Sequence, residues 1–404
     1  MTHDPTKSIM EDSMEIQTEE TLPKDQERAC LVGRAWIPGN PGGPSPILIH
    51  EMKVYDLSPH FPTISDLLEV DDPSRKIPEC SRMESIGKLE DLLNNTPIDH
   101  RNTNQPWLLA PCDLQAIKAS GVTFVSSMLE RVIEEQARGD WTKAEQIRKQ
   151  IRELIGDNLA EIQPGSDSAM KVKKVLLEQG AWSQYLEVGI GPDAEIFTKS
   201  QPMSSMGTGV EVGIHPGSSW NNPEPEIVLA INSKGNVTGA ALGNDVNLRD
   251  LEGRSALLLG KAKDNNASCA IGPFIRLFDE HFSLDEVRQA DIHLTVDGRD
   301  GFRLEGKSSM QQISRDPLEL VDHCIGKHHQ YPDGLMLFLG TMFAPIQDRD
   351  VPGQGFTHKV GDLVRIQTPL LGTLINQVNT CDQIPPWTFG TKELMRNLAQ
   401  RGLL

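Results

Sequence analysis

One stretch decides the fold of this chain: Glu224-Pro-Glu-Ile-Val-Leu-Ala-Ile-Asn-Ser-Lys-Gly-Asn-Val-Thr-Gly-Ala-Ala-Leu-Gly-Asn-Asp245. It predicts two strands, residues 226–231 and 237–242, joined by a turn rich in Asn, Ser and Gly. Because successive side chains alternate between the faces of a strand, Glu224 and Glu226 share one face. The turn brings Asp245 back beside them, so the sequence predicts three carboxylates in one place.

These three carboxylates indicate a site for a divalent cation. Their oxygens are hard ligands that suit Mg²⁺, Mn²⁺ or Ca²⁺, and the trio contains no Cys or His that would favour zinc. The pattern Glu-Pro-Glu alone is also typical of a charged strand edge that carries a proline. Lys263 is predicted to complete the site rather than to be a solvated surface lysine. Beside a cation its pKa is expected to be lowered, which suits proton transfer or the binding of an enolate oxygen.

Composition excludes several classes of protein. The chain has 404 residues, of which 38% are hydrophobic, enough for a large domain plus a smaller one. Its net charge of −18 would repel nucleic acid and anionic lipid, so neither is expected as a partner. The N-terminus lacks the apolar core of a signal peptide, and no apolar run reaches the roughly 18 residues that span a bilayer. A cytoplasmic protein is predicted.

Three regions are predicted along the chain. Residues 1–28 are polar and acidic, which predicts a disordered tail. Residues 29–106 carry short strand patterns and one helix pattern, which predicts a small N-terminal domain, and residues 107–404 form the catalytic domain. Within it, residues 126–180 have helical periodicity, whereas short strands with Gly, Asp and Asn turns follow Gly189. The predicted fold class is α+β, with a predominantly β catalytic domain and a helical segment.

Three separated motifs resemble the fumarylacetoacetate hydrolase family: Trp220-Asn-Asn-Pro-Glu-Pro-Glu-Ile-Val-Leu229, Gly243-Asn-Asp-Val-Asn-Leu-Arg-Asp250 and Lys261-Ala-Lys-Asp-Asn-Asn-Ala-Ser-Cys-Ala-Ile-Gly-Pro273. The spacing of Glu226, Asp245 and Lys263 is most similar to the branch that dehydrates 2-keto-3-deoxy-pentonates of the D-arabinonate or D-xylonate type. The resemblance extends over about residues 105–404. It implies a mixed β-roll or β-sandwich and a homodimer or higher homo-oligomer.

The resemblance also implies roles for residues outside the trio. Glu195 stands where the dehydratase branch has a glutamate, which implies a catalytic carboxylate or an outer metal contact, and Lys199 is implied as a supporting positive charge. Thr341 corresponds to a threonine that meets the substrate carboxylate. Arg249 supports the site or forms a salt bridge with Asp250. The simpler alternatives are an exposed Glu-x-x-x-Lys pair on a loop and, for the threonine, a turn hydroxyl that bonds its own backbone.

One position departs from the family pattern. Hydrolytic members carry Asn-Tyr-x-x-His-x-x-Glu, in which His and Glu activate water, whereas the matching run here is Thr123-Phe-Val-Ser-Ser-Met-Leu-Glu130. Ser127 takes the place of the histidine, and a serine hydroxyl without an adjacent base cannot accept a proton from water near neutral pH. Ser127 and Glu130 also match a capping box at a helix start. Elimination is therefore expected instead of hydrolysis.

From the resemblance, we expect a hydro-lyase dependent on Mg²⁺ or Mn²⁺ that converts a 2-keto-3-deoxy-pentonate sugar acid into 2,5-dioxopentanoate in pentose catabolism. Glu195 is the candidate base at C3, and Lys263 holds the developing enolate. Two alternatives remain open: a C–C hydrolase or decarboxylase of another 2-keto acid, and a keto-acid binder without activity. The residues expected to contact substrate are Thr341, Lys199, Arg249 and Ser127.

Overall fold

The computed structural model describes Met14 and residues 16–77, 82–138, 140–143, 146, 147, 149, 162–178, 182–343, 345–352 and 355–404. Its strands are β1 (Leu31–Ile37), β2 (Gly43–His50), β3 (Lys53–Asp56), β4 (Ser85–Lys88), β5 (Trp107–Leu109), β6 (Ala116–Gly121), β7 (Glu195–Ser200), β8 (Val210–Ile214), β9 (Asn221–Asn222), β10 (Pro225–Ile231), β11 (Val237–Asp245), β12 (Asn247–Leu248), β13 (Cys269–Leu277), β14 (Asp291–Asp297), β15 (Arg303–Ser309), β16 (Leu335–Phe338), β17 (Leu363–Thr368) and β18 (Gly372–Thr380). Its α-helices are α1 (Thr18–Thr21), α2 (Ile64–Glu69), α3 (Pro73–Lys76), α4 (Leu89–Asn94), α5 (Val125–Ala137), α6 (Asp167–Glu178), α7 (Gln184–Ile190), α8 (Arg249–Glu252), α9 (Leu259–Lys263), α10 (Leu284–Arg288), α11 (Pro317–Cys324) and α12 (Thr391–Gln400).

Two sheets contain most of the strands. The larger has eleven strands in the order β4-β3-β2-β1-β13-β11-β10-β16-β6-β7, with β5 paired to β1. The smaller has five in the order β15-β14-β17-β18-β8, and β9 pairs with β12. More of the described residues lie in strands than in helices. The prediction of an α+β fold with a predominantly β catalytic domain is confirmed.

The predicted hairpin lies at the centre of the larger sheet. Every residue of β10 is buried, with Ile227 and Leu229 packed on one face and Val228 and Ala230 on the other. Burial on both faces explains the continuous apolar run, since each large aliphatic side chain contributes about 1.5–3 kcal/mol. In the turn, Gly235 has a φ of +83°, a conformation that favours glycine. The hairpin therefore holds its two ends in a defined register.

Part of the predicted disordered tail is packed. Residues 16–28 include α1, and Ile16 and Leu22 are buried in a cluster with Leu31. Asp25 forms an ion pair of 2.6 Å with the buried Arg276. Average composition hides these two apolar anchors, so the prediction of disorder is wrong for this part. Residues 1–13 and 15 lie outside the described residues.

The N-terminal strands continue the large sheet instead of forming their own. Leu31 of β1 pairs with Arg276 of β13, and β2, β3 and β4 extend the sheet from β1 outward. Pairing of this kind covers a sheet edge that would otherwise expose unpaired backbone groups. The predicted unit of residues 29–106 thus shares a sheet with the strands of the catalytic region, and its independence as a domain stays a prediction.

The helical segment contains α5, α6 and α7. Met128, Val132 and Ile133 of α5 are buried together, as the periodicity predicts. This helix begins at Val125, so Ser127 lies inside it and does not cap it. The reason is the isolated bridge between Phe124 and Ile313, which holds the chain extended until just before the helix. Residues 144–154 of the predicted helical segment fall largely outside the described residues. Among the helices that are described, none has the length and apolar character needed to cross a membrane.

Candidate functional site

A single antiparallel ladder positions the carboxylates. In β10 and β11, Pro225 pairs with Asn244, and the backbone N–H of Asp245 donates to the carbonyl of Glu224 over 3.0 Å. Glu224 and Asp245 are therefore cross-strand neighbours on one face, and Glu226 is next along the same face. All three are buried, and one carboxylate oxygen from each lies within 4.8 Å of the others. The structure brings the predicted trio together.

Lys263, at the end of α9, lies against two of these carboxylates. Its Nζ is 2.5 Å from Oε2 of Glu224 and 2.9 Å from Oδ2 of Asp245. Burial would lower the pKa of Lys263, but the carboxylates of Asp245 and Glu224 raise it above its ordinary value. The lowering expected beside a bound cation stays a prediction, because this direction holds for the carboxylates alone.

Lys199, on β7, forms a buried ion pair with Asp245. Its side chain is completely buried, and its Nζ lies 2.9 Å from Oδ1 of Asp245. The same ammonium donates to the carbonyl oxygens of Lys263 and Val246. The exposed-loop alternative does not hold for Lys199. These contacts fix the carboxylate of Asp245, and a contact of Lys199 with substrate stays a prediction.

Arg131, on α5, is a site residue that the sequence did not reveal. Its guanidinium contacts Oε1 of Glu224 and lies 2.9 Å from Oε2 of Glu252 on α8. Burial would raise the pKa of Glu224, but Arg131 and Lys263 lower it to about 2. This contact depends on how α5 lies over the sheet, and no local motif signals it.

Glu226 accepts hydrogen bonds from the turn after β16. The N–H of Gly340 donates to its Oε2 over 2.7 Å, and the hydroxyl of Thr341 donates to its Oε1 over 3.3 Å. Gly340 has a φ of +100°, and a Cβ there would lie 2.0 Å from Oγ1 of Thr123, so the close approach requires glycine. Thr341 thus lies at the trio. Burial, with the neighbouring Asp245 and Glu224, raises the pKa of Glu226 well above its ordinary value.

Glu195 begins β7, where it pairs with Gly121 of β6. A Cβ on Gly121 would lie 1.9 Å from Oε2 of Glu195, so the glycine leaves space for this carboxyl group. Burial and the nearby Glu252 raise the pKa of Glu195 to about 7, against smaller opposing effects of Lys263 and Arg131. A carboxyl group that titrates near neutral pH is suited to general base catalysis.

Arg249 is buried on α8, but its ion-pair partner differs from the prediction. Its guanidinium lies 3.5 Å from Glu130 of α5 and 4.7 Å from the ring centroid of Trp220. The carboxylate of Asp250 instead accepts hydrogen bonds from Ser218 and Ser219. Adjacent helical residues point about 100° apart, which separates the two side chains.

The backbone of Ser127 lies in α5, one turn before Arg131.

The charges around the trio are unbalanced. Among the described residues the group contains two more anionic side chains than cationic ones, and repulsion between the carboxylates adds to burial in raising the pKa values of Glu226 and Glu195. One divalent cation held by oxygen ligands would neutralise the difference. The site therefore fits such an ion. The six carboxylates are Glu130, Glu195, Glu224, Glu226, Asp245 and Glu252, and the four cations are Arg131, Lys199, Arg249 and Lys263.

Curated proteins of two archaea are similar to this chain. The 2-dehydro-3-deoxy-D-arabinonate dehydratase of Saccharolobus solfataricus is 32% identical over 187 residues, which are 46% of this chain and 58% of that protein. The probable 2-keto-3-deoxyxylonate dehydratase of Haloferax volcanii is 29% identical over 197 residues, which are 48% and 64% of the two chains. In both cases the match covers less than two thirds of the relative's length.

Solved structures share the fold. The apo form of a 2-keto-3-deoxy-D-arabinonate dehydratase has a TM-score of 0.60 and 21% identity, over 87% of this chain and 99% of the other. The same enzyme complexed with magnesium and 2,5-dioxopentanoate has a TM-score of 0.57 and 20% identity over the same shares. The sequence profile described as fumarylacetoacetate (FAA) hydrolase C-terminal matches residues 178–379, which is half of the chain. The predicted resemblance is confirmed, and the chain belongs to the fumarylacetoacetate hydrolase family.

Proposed function

We propose that this protein is a dehydratase that uses a divalent cation to convert a 2-keto-3-deoxy-pentonate into 2,5-dioxopentanoate. The observation that carries the proposal is the buried carboxylate trio with Lys263 against two of its members, and Glu195 begins β7, where burial raises its pKa to about 7. The names of the two curated relatives support the substrate class. A homodimer or higher homo-oligomer and a cytoplasmic location are also part of the proposal.

Glu224, Glu226 and Asp245 would hold the cation, and the ligand found in the structural neighbour makes Mg²⁺ our choice, with Mn²⁺ as the substitute. When bound, the ion supplies a Lewis acid for the keto oxygen of the substrate. The N–H of Gly340 and the hydroxyl of Thr341 orient Glu226, and Lys199 orients Asp245.

Glu195 performs the proton transfers in this proposal. Its carboxylate removes a proton from C3, and the electron pair moves onto the C2 oxygen. As the carbonyl reforms, a C3–C4 double bond forms and the C4–oxygen bond breaks. The hydroxyl leaves as water with the proton that Glu195 received. Loss of a proton from C5 and addition of one at C3 then give the C4–C5 enol, and movement of the C5 hydroxyl proton to C4 gives the aldehyde of 2,5-dioxopentanoate.

Lys263 stabilises the negative charge that develops during the first step. An ammonium group has three N–H donors, and Glu224 and Asp245 accept two of them. The third is available for an oxygen of the substrate. Because its ammonium group donates to both carboxylates, Lys263 acts as a hydrogen-bond donor in this proposal, and Glu195 has the role of base.

Elimination is favoured over hydrolysis by two observations. Ser127 stands where hydrolytic members carry the histidine that activates water. Glu130, the remaining member of that pair, lies within 3.5 Å of Arg249. Glu130 thus contacts an arginine, and the histidine with which it would activate water is absent.

The proposal is tested by incubating the purified protein and Mg²⁺ with a panel of 2-keto-3-deoxy sugar acids and acylpyruvates, with products identified by NMR. We expect dehydration of at least one pentonate and negligible cleavage of acylpyruvates. Ser127→His is expected to increase acylpyruvate cleavage only slightly, because Glu130 stays paired with Arg249. Efficient cleavage of an acylpyruvate by the unmodified protein, without dehydration of any sugar acid, would overturn the proposal.

A further inference from the structure

The ladder that holds the carboxylates continues for two more residues, where it places two asparagines. Asn222 of β9 pairs with Asn247 of β12, in the same register that pairs Pro225 with Asn244. Because side chains alternate along both strands, this asparagine pair lies on the same face as Glu224 and Asp245. It is displaced from them by two residues, or about 7 Å along the strands.

Three of the four polar side-chain atoms of this pair lack a hydrogen-bond partner among the described residues. No described group bonds to Oδ1 of Asn222 or to either Oδ1 or Nδ2 of Asn247, although both side chains are fully buried. Nδ2 of Asn222 reaches only the adjacent carbonyl of Pro223. Buried amide groups are nearly always paired because an unpaired one loses its bonds to water without replacement. The exception here is next to the candidate metal site.

Full burial does not exclude these asparagines from a ligand-binding site, because Glu224 and Glu226 of the candidate metal site are equally buried. A comparison within the fold shows what a structural asparagine looks like. The amide of Asn376 is also buried, but its Nδ2 donates to the carbonyls of Gly207 and Val210 over 2.9 and 3.1 Å. The unpaired atoms of Asn222 and Asn247 instead have no partner among the described residues.

We propose that Asn222 and Asn247 bind the substrate hydroxyl groups that lie farthest from its carboxylate, and so select polyhydroxylated 2-keto acids. A hydroxyl can donate to Oδ1 and accept from Nδ2, which is the pair of functions that Asn247 leaves unused. This inference rests on the proposed function, since the keto-acid end of the substrate must lie at the carboxylate trio. The hydroxyl-bearing end of a five-carbon chain then extends along the ladder toward the asparagines.

The test compares two ligands with the same carbon chain. One is a 2-keto-3-deoxy-pentonate, and the other is 2-oxopentanoate, which lacks the hydroxyls on C4 and C5. Affinities are measured by titration calorimetry with Mg²⁺ in a Glu195→Gln background, which slows turnover, and dehydration is assayed separately in the unmodified protein. The variants are Asn247→Leu and Asn222→Leu, which keep the branched shape of the side chain without its hydrogen-bonding groups, and Asn376→Leu is the matched control for the change of size.

The parent protein is the Glu195→Gln variant with both asparagines intact. We expect it to bind the pentonate roughly 10-fold or more tightly than 2-oxopentanoate, because a site built to bind hydroxyls discriminates against a ligand without them. Asn247→Leu should abolish most of this preference and leave 2-oxopentanoate binding unchanged, with Asn222→Leu in the same direction. The melting temperature of Asn247→Leu should not fall, because this substitution removes an amide group that has no partner among the described residues. Asn376→Leu should lower the melting temperature and keep the preference.

The inference is overturned if Asn247→Leu and Asn222→Leu both keep the preference, or if Asn247→Leu loses stability as Asn376→Leu does. These outcomes leave the proposed function intact when the unmodified protein still dehydrates the pentonate. Absence of binding of both keto acids to the parent protein would instead refute the proposed function, and with it this inference.

Discussion

Replacing Glu195 by glutamine should stabilise the protein above neutral pH while it removes activity. The pKa of this carboxyl group is raised from 4.5 to about 7 by burial and by Glu252. The folded state therefore binds more protons than the unfolded state between these two values, and stability falls as pH rises through this window. Glutamine has no charge to bury, so Glu195→Gln avoids that loss.

The size of the effect follows from the pKa difference. A shift of one unit corresponds to 1.36 kcal/mol, so the cost of the charged carboxylate above pH 7 is at most about 3 kcal/mol. Part of this cost is already present at pH 5, where the unfolded carboxyl group is mostly ionised. The stabilisation by Glu195→Gln should consequently be about 2 kcal/mol larger at pH 8 than at pH 5.

The assay is urea denaturation of both proteins at the two pH values, without divalent cation. Glu187→Gln is the matched control. A hydrogen bond from Lys173 lowers the pKa of Glu187, so the control should gain no stability at pH 8. Turnover of Glu195→Gln should fall by roughly 10²-fold or more, with substrate still bound. An equal stability change at pH 5 and pH 8, or turnover at the level of the unmodified protein, would refute this account of Glu195.

The other predictions concern the metal, the pH profile and the second catalytic group. The three alanine variants of the trio should lose Mg²⁺ and activity but keep the circular dichroism spectrum of the unmodified protein: Glu224→Ala, Glu226→Ala and Asp245→Ala. Metal analysis that shows full occupancy in all three variants would exclude the site. Because the base must be deprotonated, kcat/KM should rise with pH to a plateau, with a midpoint near 7 that disappears in Glu195→Gln. Lys263→Met should weaken keto-acid binding and turnover but retain solvent deuterium exchange at C3, followed by NMR. The roles of Glu195 and Lys263 are reversed if Lys263→Met alone stops the exchange with substrate still bound.

The carboxylate trio could be predicted from the sequence because it depends on local rules. Strand alternation and one turn are sufficient to bring Glu224, Glu226 and Asp245 together. The contacts of Arg131 could not be predicted, since they depend on how α5 packs against a sheet distant in sequence. The tail prediction failed for a related reason, because Ile16 and Leu22 contact a cluster formed by strands that come later in the chain.

Strand alternation also determines the positions next to the carboxylate trio. A ladder register extends beyond the residues of a motif, so the positions that place Glu224 opposite Asp245 also place Asn222 opposite Asn247. The register does not predict whether a polar side chain at such a position forms a hydrogen bond, because this depends on every element that packs against the side chain. The structure supplies this, since the buried amide of Asn247 has no described partner whereas that of Asn376 has two. Both the excess charge around the trio and the unpaired amides beside it are costly in the free protein. An ion and a hydroxylated acid would relieve the two costs at adjacent positions of one ladder, which is why we place substrate selection there.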